Sequence, residues 1–224
     1  MAFQIALDGP AGAGKSSIAK AVARRLNMNY LDTGAMYRCL GLKAYRLGID
    51  PQDEARMNEL LLKTEISVDF DEKGQHNFLD GEKVDEAIRQ NEISYYASEG
   101  SKHLLVRETM AQKQRDLSMQ MNVILDGRDI GTYVLPQAPC KIYLTAEAEE
   151  RARRRQRQLQ EQGQTVDFDQ LCEELCRRDF EDSQRKIAPL KVADDAVVLD
   201  STHMTFDEVV DRVCEIAKMA GLGA

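Results

Sequence analysis

The sequence predicts an α/β fold in which a parallel sheet of five strands is flanked by helices. Five short and nearly continuous apolar runs alternate with longer segments whose apolar residues recur at helical spacing. Continuous apolar runs are typical of strands that are buried on both faces, as in parallel sheets. The predicted strands are Phe3–Leu7, Met28–Leu31, Val123–Leu125, Lys141–Leu144 and Val197–Leu199. In such folds ligands bind beyond the carboxyl ends of the strands, so we expect the site there.

Helices are predicted in the segments between these strands. They cover Gly14–Asn27, Gly34 to Gly48, a short stretch around Met57 and Leu61, a long stretch from Asn91 to Leu117, Ala146 to Gln162, a stretch through Leu171 that ends near Pro189, and Phe206–Ala220.

One region has a different pattern and predicts a small antiparallel sheet. Ile66, Val68 and Phe70 alternate with polar residues, which is typical of a strand with one buried face. Lys73-Gly74 then predicts a turn, and Asn77–Asp80 predicts the partner strand. We interpret this meander as an insertion into the strand–helix alternation.

Composition sets limits on the function. The chain has 224 residues, of which 30% are charged and 43% apolar, enough for one core with small lobes. No apolar stretch is long enough to span a bilayer, and no signal peptide precedes the first strand, so we expect a cytoplasmic protein without a membrane partner. The net charge of −8 counts against a nucleic-acid partner.

The first strand leads into a glycine-rich loop with the spacing G-x-x-x-x-G-K-S. It runs from Gly9 to Ser16, followed by Ser17. Glycines let successive backbone N–H groups point inward, and the following helix adds partial positive charge, so the loop predicts phosphate binding. Lys15 would place its ammonium near the terminal phosphates of a nucleoside triphosphate, and Ser16 would offer a hydroxyl to Mg²⁺.

Arginines near strand ends indicate a second anion. Arg38 follows Thr33-Gly34, and Arg128 follows Asp126-Gly127. A nucleoside monophosphate has a second pKa of about 6 and carries most of two negative charges at neutral pH, so arginines suit it as an acceptor. No Asn-Lys-x-Asp motif of GTPases is present. Two alternatives stay open: a kinase for another small acceptor, such as UMP or shikimate, and a nucleotide-dependent switch that controls a partner.

Five motifs together resemble one family. LDGPAGAGKSS, YLDTGAMYR, ILDGRDIGT, RRDFEDSQR and IAPLKVADDAVVLDS occur in order along the whole chain, and they resemble bacterial-type cytidylate kinases of the nucleoside monophosphate kinase group. The resemblance implies a P-loop NTPase fold and transfer of the γ-phosphoryl group from ATP to CMP or dCMP with Mg²⁺ as cofactor. It also implies a core of residues 1–62, 101–150 and 167–224, an inserted monophosphate-binding lobe at 63–100 and a lid at 151–166. We expect a monomer.

The same resemblance implies the site residues. ATP would be bound by Gly9, Pro10, Ala11, Gly12, Ala13, Gly14, Lys15, Ser16 and Ser17. The acceptor would be bound by Thr33, Arg38, Ser98, Arg107, Arg128, Asp129, Arg178, Asp182 and Arg185. Of all these, the catalytic residues would be Lys15, Arg128, Arg178 and Arg185.

The implied roles follow the charges of the acceptor. Arg38 and Arg128 would hold its phosphate, while Arg178 and Arg185 would approach the transferred group. Asp129 could accept a hydrogen bond from the cytosine amine, which uracil lacks. Arg107, with help from Ser98 nine residues earlier on the same predicted helix, would suit cytosine O2 and N3, and Asp182 would bind sugar hydroxyls.

The chain departs from the family pattern at two positions. Ser16-Ser17 stands where Gly-Thr is expected after the loop lysine, which leaves Ser16 and Ser17 as alternative Mg²⁺ ligands. Thr33 stands where serine is common and keeps the hydroxyl.

Overall fold

The structure is a computed structural model that describes residues 2–72, 74–161 and 163–223. It contains a five-stranded parallel sheet with flanking helices and a separate three-stranded antiparallel sheet, which confirms the predicted fold class. The strands are β1 Gln4–Asp8, β2 Asn29–Asp32, β3 Ile66–Asp71, β4 Gly74–Leu79, β5 Glu82–Lys83, β6 Val123–Gly127, β7 Cys140–Thr145 and β8 Val197–Asp200. The helices are α1 Lys15–Leu26, α2 Thr33–Arg46, α3 Glu54–Leu62, α4 Asn91–Gly100, α5 Leu104–Ser118, α6 Ala148–Glu161, α7 Phe168–Ser183 and α8 Phe206–Met219.

The large sheet has the order β2-β6-β1-β7-β8. Its strand β1 pairs in parallel with β6, where Ile5 lies opposite Ile124, and with β7, where Ile5 lies opposite Cys140. The side chains of Ile5, Ala6 and Leu7 are all fully buried, and Ala6 lies on the opposite face of the strand from the other two. Burial on both faces is the reason that the sequence of β1 is continuously apolar and shows no alternation.

The chain divides into two compact units. The first comprises Met1–Met28 and Met121–Ala224, and the second comprises Asn29–Gln120. The five-segment division predicted from the sequence is not tested by this and stays a prediction. Among the described residues, no helix combines the length and the apolar character that crossing a bilayer requires.

The antiparallel sheet of the second unit has the order β3-β4-β5. Ile66 lies opposite Leu79 and Phe70 opposite Gln75. Ile66, Val68 and Phe70 are buried or half-buried while the residues between them are exposed, so the predicted alternation of β3 is confirmed. The partner strand begins at Gly74, three residues before its predicted start, because Gly74 and Gln75 already pair with Asp71 and Phe70 of β3. Lys73 of the predicted turn lies outside the described residues.

The prediction of one long helix from Asn91 to Leu117 is wrong. The helix is interrupted by residues 101–103, and His103 has an extended backbone with ψ of 134°. The ring of His103 contacts the carbonyl oxygen of Pro51 at 2.7 Å, and Arg107 Nε donates to the carbonyl of Ser101 at 3.1 Å. The contact of His103 with Pro51 spans 52 residues of sequence, so apolar periodicity could not indicate the break.

The prediction that a helix continues to near Pro189 is also wrong. Helix α7 ends at Ser183, and the amide of Leu190 donates back to the carbonyl of Asp182 at 2.9 Å. The chain reverses through Ala188, whose φ of 49° is left-handed. Gln162, the predicted end of the preceding helix, lies outside the described residues.

Candidate active site

The glycine-rich loop leaves the carboxyl end of β1 and leads into α1. Gly9 has φ of 151°, and a Cβ atom there would lie 2.0 Å from the carbonyl oxygen of Leu144 in β7, so only glycine fits. Gly14 caps α1, whose first turn contains no acidic residue. The positive end of this helix is therefore available to an anion.

Lys15, the first residue of α1, is buried beneath the loop. Its Nζ atom donates hydrogen bonds to the carbonyl oxygens of Gly9 at 2.8 Å and Pro10 at 2.7 Å. Burial lowers the pKa of Lys15 well below its usual value, and the positive charges of Arg128 and Arg178 lower that pKa further. A bound phosphate would counter this repulsion and favour the charged ammonium.

A hydroxyl and a carboxylate meet at the start of α1. Ser16 Oγ donates to Asp126 Oδ2 at 2.6 Å, and Asp126 is a buried residue near the end of β6. Hydroxyl and carboxylate oxygens are the ligands that Mg²⁺ prefers, so this pair fits that ion. Asp126 is not among the predicted site residues, although its place at a strand end was a signal. No group of three or more potential metal ligands occurs within residues 2–72, 74–161 and 163–223.

Asp182 holds two of the predicted arginines. Its side chain is buried and accepts a hydrogen bond from Arg128 Nε at 2.8 Å, while its other oxygen pairs with Arg185. Two guanidinium groups are therefore ordered by one carboxylate, and both keep N–H groups that could serve an anion. Arg178, which lies on α7 one turn before Asp182, is exposed.

Asp8 organises the segment that contains Asp129. Its carboxylate accepts hydrogen bonds from the amides of Ile130 at 2.8 Å and Gly131 at 2.7 Å. These amides open a five-residue π-helical segment, Ile130–Val134, that directly follows the buried Asp129. Burial raises the pKa of Asp8 to about 6, and the charge of Asp129 adds to the increase. Asp8 is not among the site residues predicted from the sequence, because its partners Ile130 and Gly131 lie more than a hundred residues away.

An ion pair connects the loop with α6 and α7. Asp179 accepts a hydrogen bond from the amide of Ala11 at 2.7 Å and pairs with Arg151 at 2.5 Å. Arg151 also donates to the carbonyl of Ala11 at 2.6 Å. Beneath them, Ala11 packs with Ala152 and two leucines of α7, Leu171 and Leu175. Both charged residues are absent from the predicted set, because their partners lie far away in sequence.

Most other arginines of α6 pair along their own helix. Arg153 contacts Glu149 at 2.9 Å and Arg154 contacts Glu150 at 3.0 Å, in both cases four residues apart. Arg154 also donates to the carbonyl of Ser201 at 2.6 Å. These contacts agree with a largely structural or solvated role for this dense run of charge.

Four predicted acceptor residues belong to the second unit. Thr33 is the buried first residue of α2, and Arg38 is half-buried without a hydrogen-bond or ion-pair partner among the described residues. Ser98 on α4 and Arg107 on α5 lie on different helices, not on one as predicted. Arg107 is buried, with its guanidinium 5.6 Å from the ring centre of Tyr37.

The first unit thus brings together Lys15, Ser16, Arg128, Asp182 and Arg185 around the loop at the carboxyl ends of its strands. This arrangement places the protein in the class of P-loop enzymes that bind nucleotides. A solved structure of an uncharacterized protein from Eubacterium ventriosum shares the fold, with a TM-score of 0.51 at 13% identity over 98% of this chain and 99% of that chain.

Comparison of the sequence defines the family. The family model for cytidylate kinase matches residues 5–219. The cytidylate kinase of Caldicellulosiruptor bescii is 50% identical over 96% of this chain and 95% of its own length. That of Bacillus subtilis is 46% identical over 95% of both chains. The chain belongs to the cytidylate kinase family, which confirms the resemblance seen in its motifs.

Proposed function

We propose that this protein transfers the γ-phosphoryl group of ATP to CMP or dCMP, giving ADP and CDP or dCDP. The observation that carries the proposal is the buried Lys15 under the glycine loop, in the same unit as Arg128 and Arg185, which share Asp182. Membership of the cytidylate kinase family supports the choice of acceptor.

The chemistry needs positioning more than it needs a base. A phosphate oxygen of the acceptor is already a nucleophile, and the main obstacle is the repulsion between two polyanions. Lys15 and the loop amides would hold the triphosphate, and Arg128, Arg178 and Arg185 would neutralise charge as the group moves in line. Arginine suits this task because its planar group binds phosphate bidentately and stays charged.

Mg²⁺ would be held by Ser16 and Asp126 together with the triphosphate. The hydrogen bond between these two side chains at 2.6 Å supports Ser16 over Ser17 as the ligand. When bound, the ion supplies charge neutralisation at the phosphate oxygens. The protein's part is to keep a hydroxyl and a carboxylate adjacent at the end of β6.

Recognition of the acceptor would use the residues that the family resemblance implies. Thr33 and Arg38 would bind its phosphate, and Arg107 with Ser98 would bind cytosine O2 and N3. Asp129 would accept a hydrogen bond from the exocyclic amine, and uracil would instead present a carbonyl oxygen to the same carboxylate. Asp182 is paired with two arginines, so sugar hydroxyls that bind to it would share its carboxylate with those arginines.

A coupled ADP-release assay with CMP, dCMP, UMP, AMP and shikimate tests the proposal. We expect CMP or dCMP to stimulate ADP release far above the rate without acceptor. Stimulation by UMP or shikimate alone would assign a different acceptor. Slow hydrolysis without stimulation by any acceptor would indicate a nucleotide-dependent switch and overturn the proposal.

A further inference from the structure

Strand β4 of the inserted sheet carries three consecutive polar residues, Gln75, His76 and Asn77, none of which the proposed reaction uses. Asn77 is almost fully buried, with 2% of its surface exposed. Buried amides are retained only where their hydrogen bonds are satisfied, so this stretch has a specific set of partners.

Gln75 contacts the main chain of Asp32 on both sides. Its Oε1 accepts a hydrogen bond from the Asp32 amide at 2.6 Å, and its Nε2 lies 3.4 Å from the Asp32 carbonyl oxygen. Asp32 ends β2, and its own side chain caps α2 by accepting from the amide of Ala35 at 3.0 Å. Gln75 therefore holds the peptide from which α2 begins.

The direction of the Gln75 amide is imposed from its other side. Gln75 Nε2 donates to Asn77 Oδ1 at 2.7 Å, and Asn77 Nδ2 donates to Asp85 Oδ1 at 2.9 Å. An ionised carboxylate can only accept, so Asn77 must turn its NH₂ toward Asp85 and its oxygen toward Gln75. Gln75 must then turn its own oxygen toward the Asp32 amide.

Charged neighbours keep Asp85 ionised. Although burial acts to raise it, the pKa of Asp85 is held below its usual value by hydrogen bonds from His76 and Asn77. The His76 ring lies 2.7 Å from Asp85 and 2.9 Å from Asp71, and Lys83 lies 3.6 Å from Asp85. The chain of hydrogen bonds from Asp85 to Asp32 is thus polarised in one direction.

We infer that Gln75 is a positioning residue for acceptor binding, because it fixes the Asp32 peptide through this oriented chain and thereby places Thr33 and Arg38. Thr33 is the next residue, and Arg38 lies one and a half turns further along α2. Small displacements of positioning groups are costly when charges must meet in line. The inference rests on the proposed function, since it assigns Thr33 and Arg38 to the acceptor phosphate.

Steady-state kinetics of Gln75→Ala test the inference. We expect the KM for CMP to rise about tenfold, while kcat and the KM for ATP stay within twofold of the wild type, because the hydrogen bonds that hold the Asp32 peptide are lost. Gln112→Ala is the matched control, since Gln112 is an exposed residue of the same unit that bonds with Asp116 and Arg115 on its own helix. This control should leave both KM values unchanged.

A second variant and a direct readout complete the test. Asp85→Asn does not touch Asp32 but removes the group that directs the chain of hydrogen bonds, so the KM for CMP should rise about threefold with the KM for ATP unchanged.

Hydrogen exchange of the Asp32 amide should be slow in the wild type and at least tenfold faster in Gln75→Ala. If that amide exchanges rapidly in the wild type, or if folded Gln75→Ala matches Gln112→Ala, the inference is overturned. Absence of CMP-dependent ADP release in the wild type would instead refute the proposed function, and the exchange measurement would still test the contact.

Discussion

At the scale of single residues, Asp129 is where acceptor choice should be decided. It is a buried carboxylate beside the backbone turn that Asp8 holds, so its position is well defined. A carboxylate that accepts from the cytosine amine should contribute about 1–3 kcal/mol of discrimination against uracil. Removing the Asp129 carboxylate should therefore change the selectivity for CMP over UMP more than it changes the overall rate of phosphoryl transfer.

We predict that Asp129→Asn lowers the ratio of kcat/KM for CMP to that for UMP by roughly 5- to 150-fold. The amide can turn its NH₂ toward a uracil carbonyl, so the activity with UMP should fall little or rise. Parallel ADP-release assays with the two acceptors measure the ratio. Equal losses with both would show that Asp129 does not contact the base.

Asp8 gives a prediction about pH and stability. Its pKa is raised to about 6 in the folded protein from 3.8, so between these values the folded state binds more protons than the unfolded chain. The contribution of Asp8 to the free energy of unfolding therefore falls as the pH rises from about 4 to 6. The whole change is at most about 3 kcal/mol, from two pKa units at 1.36 kcal/mol each.

Urea unfolding of the wild type and Asp8→Asn at several pH values isolates this contribution. Asparagine does not titrate between pH 4 and pH 7. The stability of the wild type relative to Asp8→Asn should therefore decrease over this range. Carboxyl groups that do not interact with Asp8 cancel in the difference. A difference that increases with pH would mean that Asp8 is stabilised as a carboxylate and has no raised pKa.

At the scale of elements, the loop depends on α6 and α7 for its shape. Asp179 of α7 and Arg151 of α6 together hold both the amide and the carbonyl of Ala11. We predict that Asp179→Ala lowers the free energy of unfolding by roughly 2–4 kcal/mol, because Arg151 then stays buried without its partner. It should also raise the KM for ATP more than the KM for CMP.

Arg177→Ala is the control for that variant, because Arg177 lies on the same helix and pairs with Glu181 in an exposed position. Surface pairs of this kind contribute little, so no measurable change in stability is expected. Urea unfolding and the two KM values check the prediction. If Asp179→Ala is as stable as Arg177→Ala, the contact with Ala11 is not part of the loop's support.

The elements also show what the sequence could and could not predict. Each predicted strand of the large sheet was found, and the loop was identified with its lysine, because these signals are local. The end of α7 was missed because the chain turns back there, with the amide of Leu190 bonded to the carbonyl of Asp182. The break between α4 and α5 was missed because it involves a contact between distant residues, His103 with Pro51. Asp126 and Asp179 were missed for the same reason, because their partners Ser16 and Ala11 lie more than a hundred residues away.

At the scale of the whole molecule, charge is distributed unevenly. The chain carries a net charge of −8, yet Lys15 is surrounded by the positive charges of Arg128 and Arg178. Burial is the main reason that the pKa of Lys15 is lowered, and the repulsion from these two arginines in the absence of an anion lowers it further. The site is therefore less favourable when empty than when it holds phosphate.

This uneven charge predicts that a polyphosphate stabilises the whole first unit. At a concentration of ATP about a hundred times its dissociation constant, binding adds about 2.7 kcal/mol to the free energy of unfolding, provided that the unfolded chain does not bind ATP. For a chain of this size that corresponds to an increase in Tm of roughly 5–10 °C. Inorganic triphosphate should raise Tm in the same way, because the proposal gives the loop contacts with the phosphates and none with the base. Lys15→Ala should lose most of the increase, whereas Lys20→Ala, an exposed residue of α1, should keep it. A Tm increase of the same size in Lys15→Ala would mean that the triphosphate binds elsewhere, and the loop would then not be the site of phosphoryl transfer.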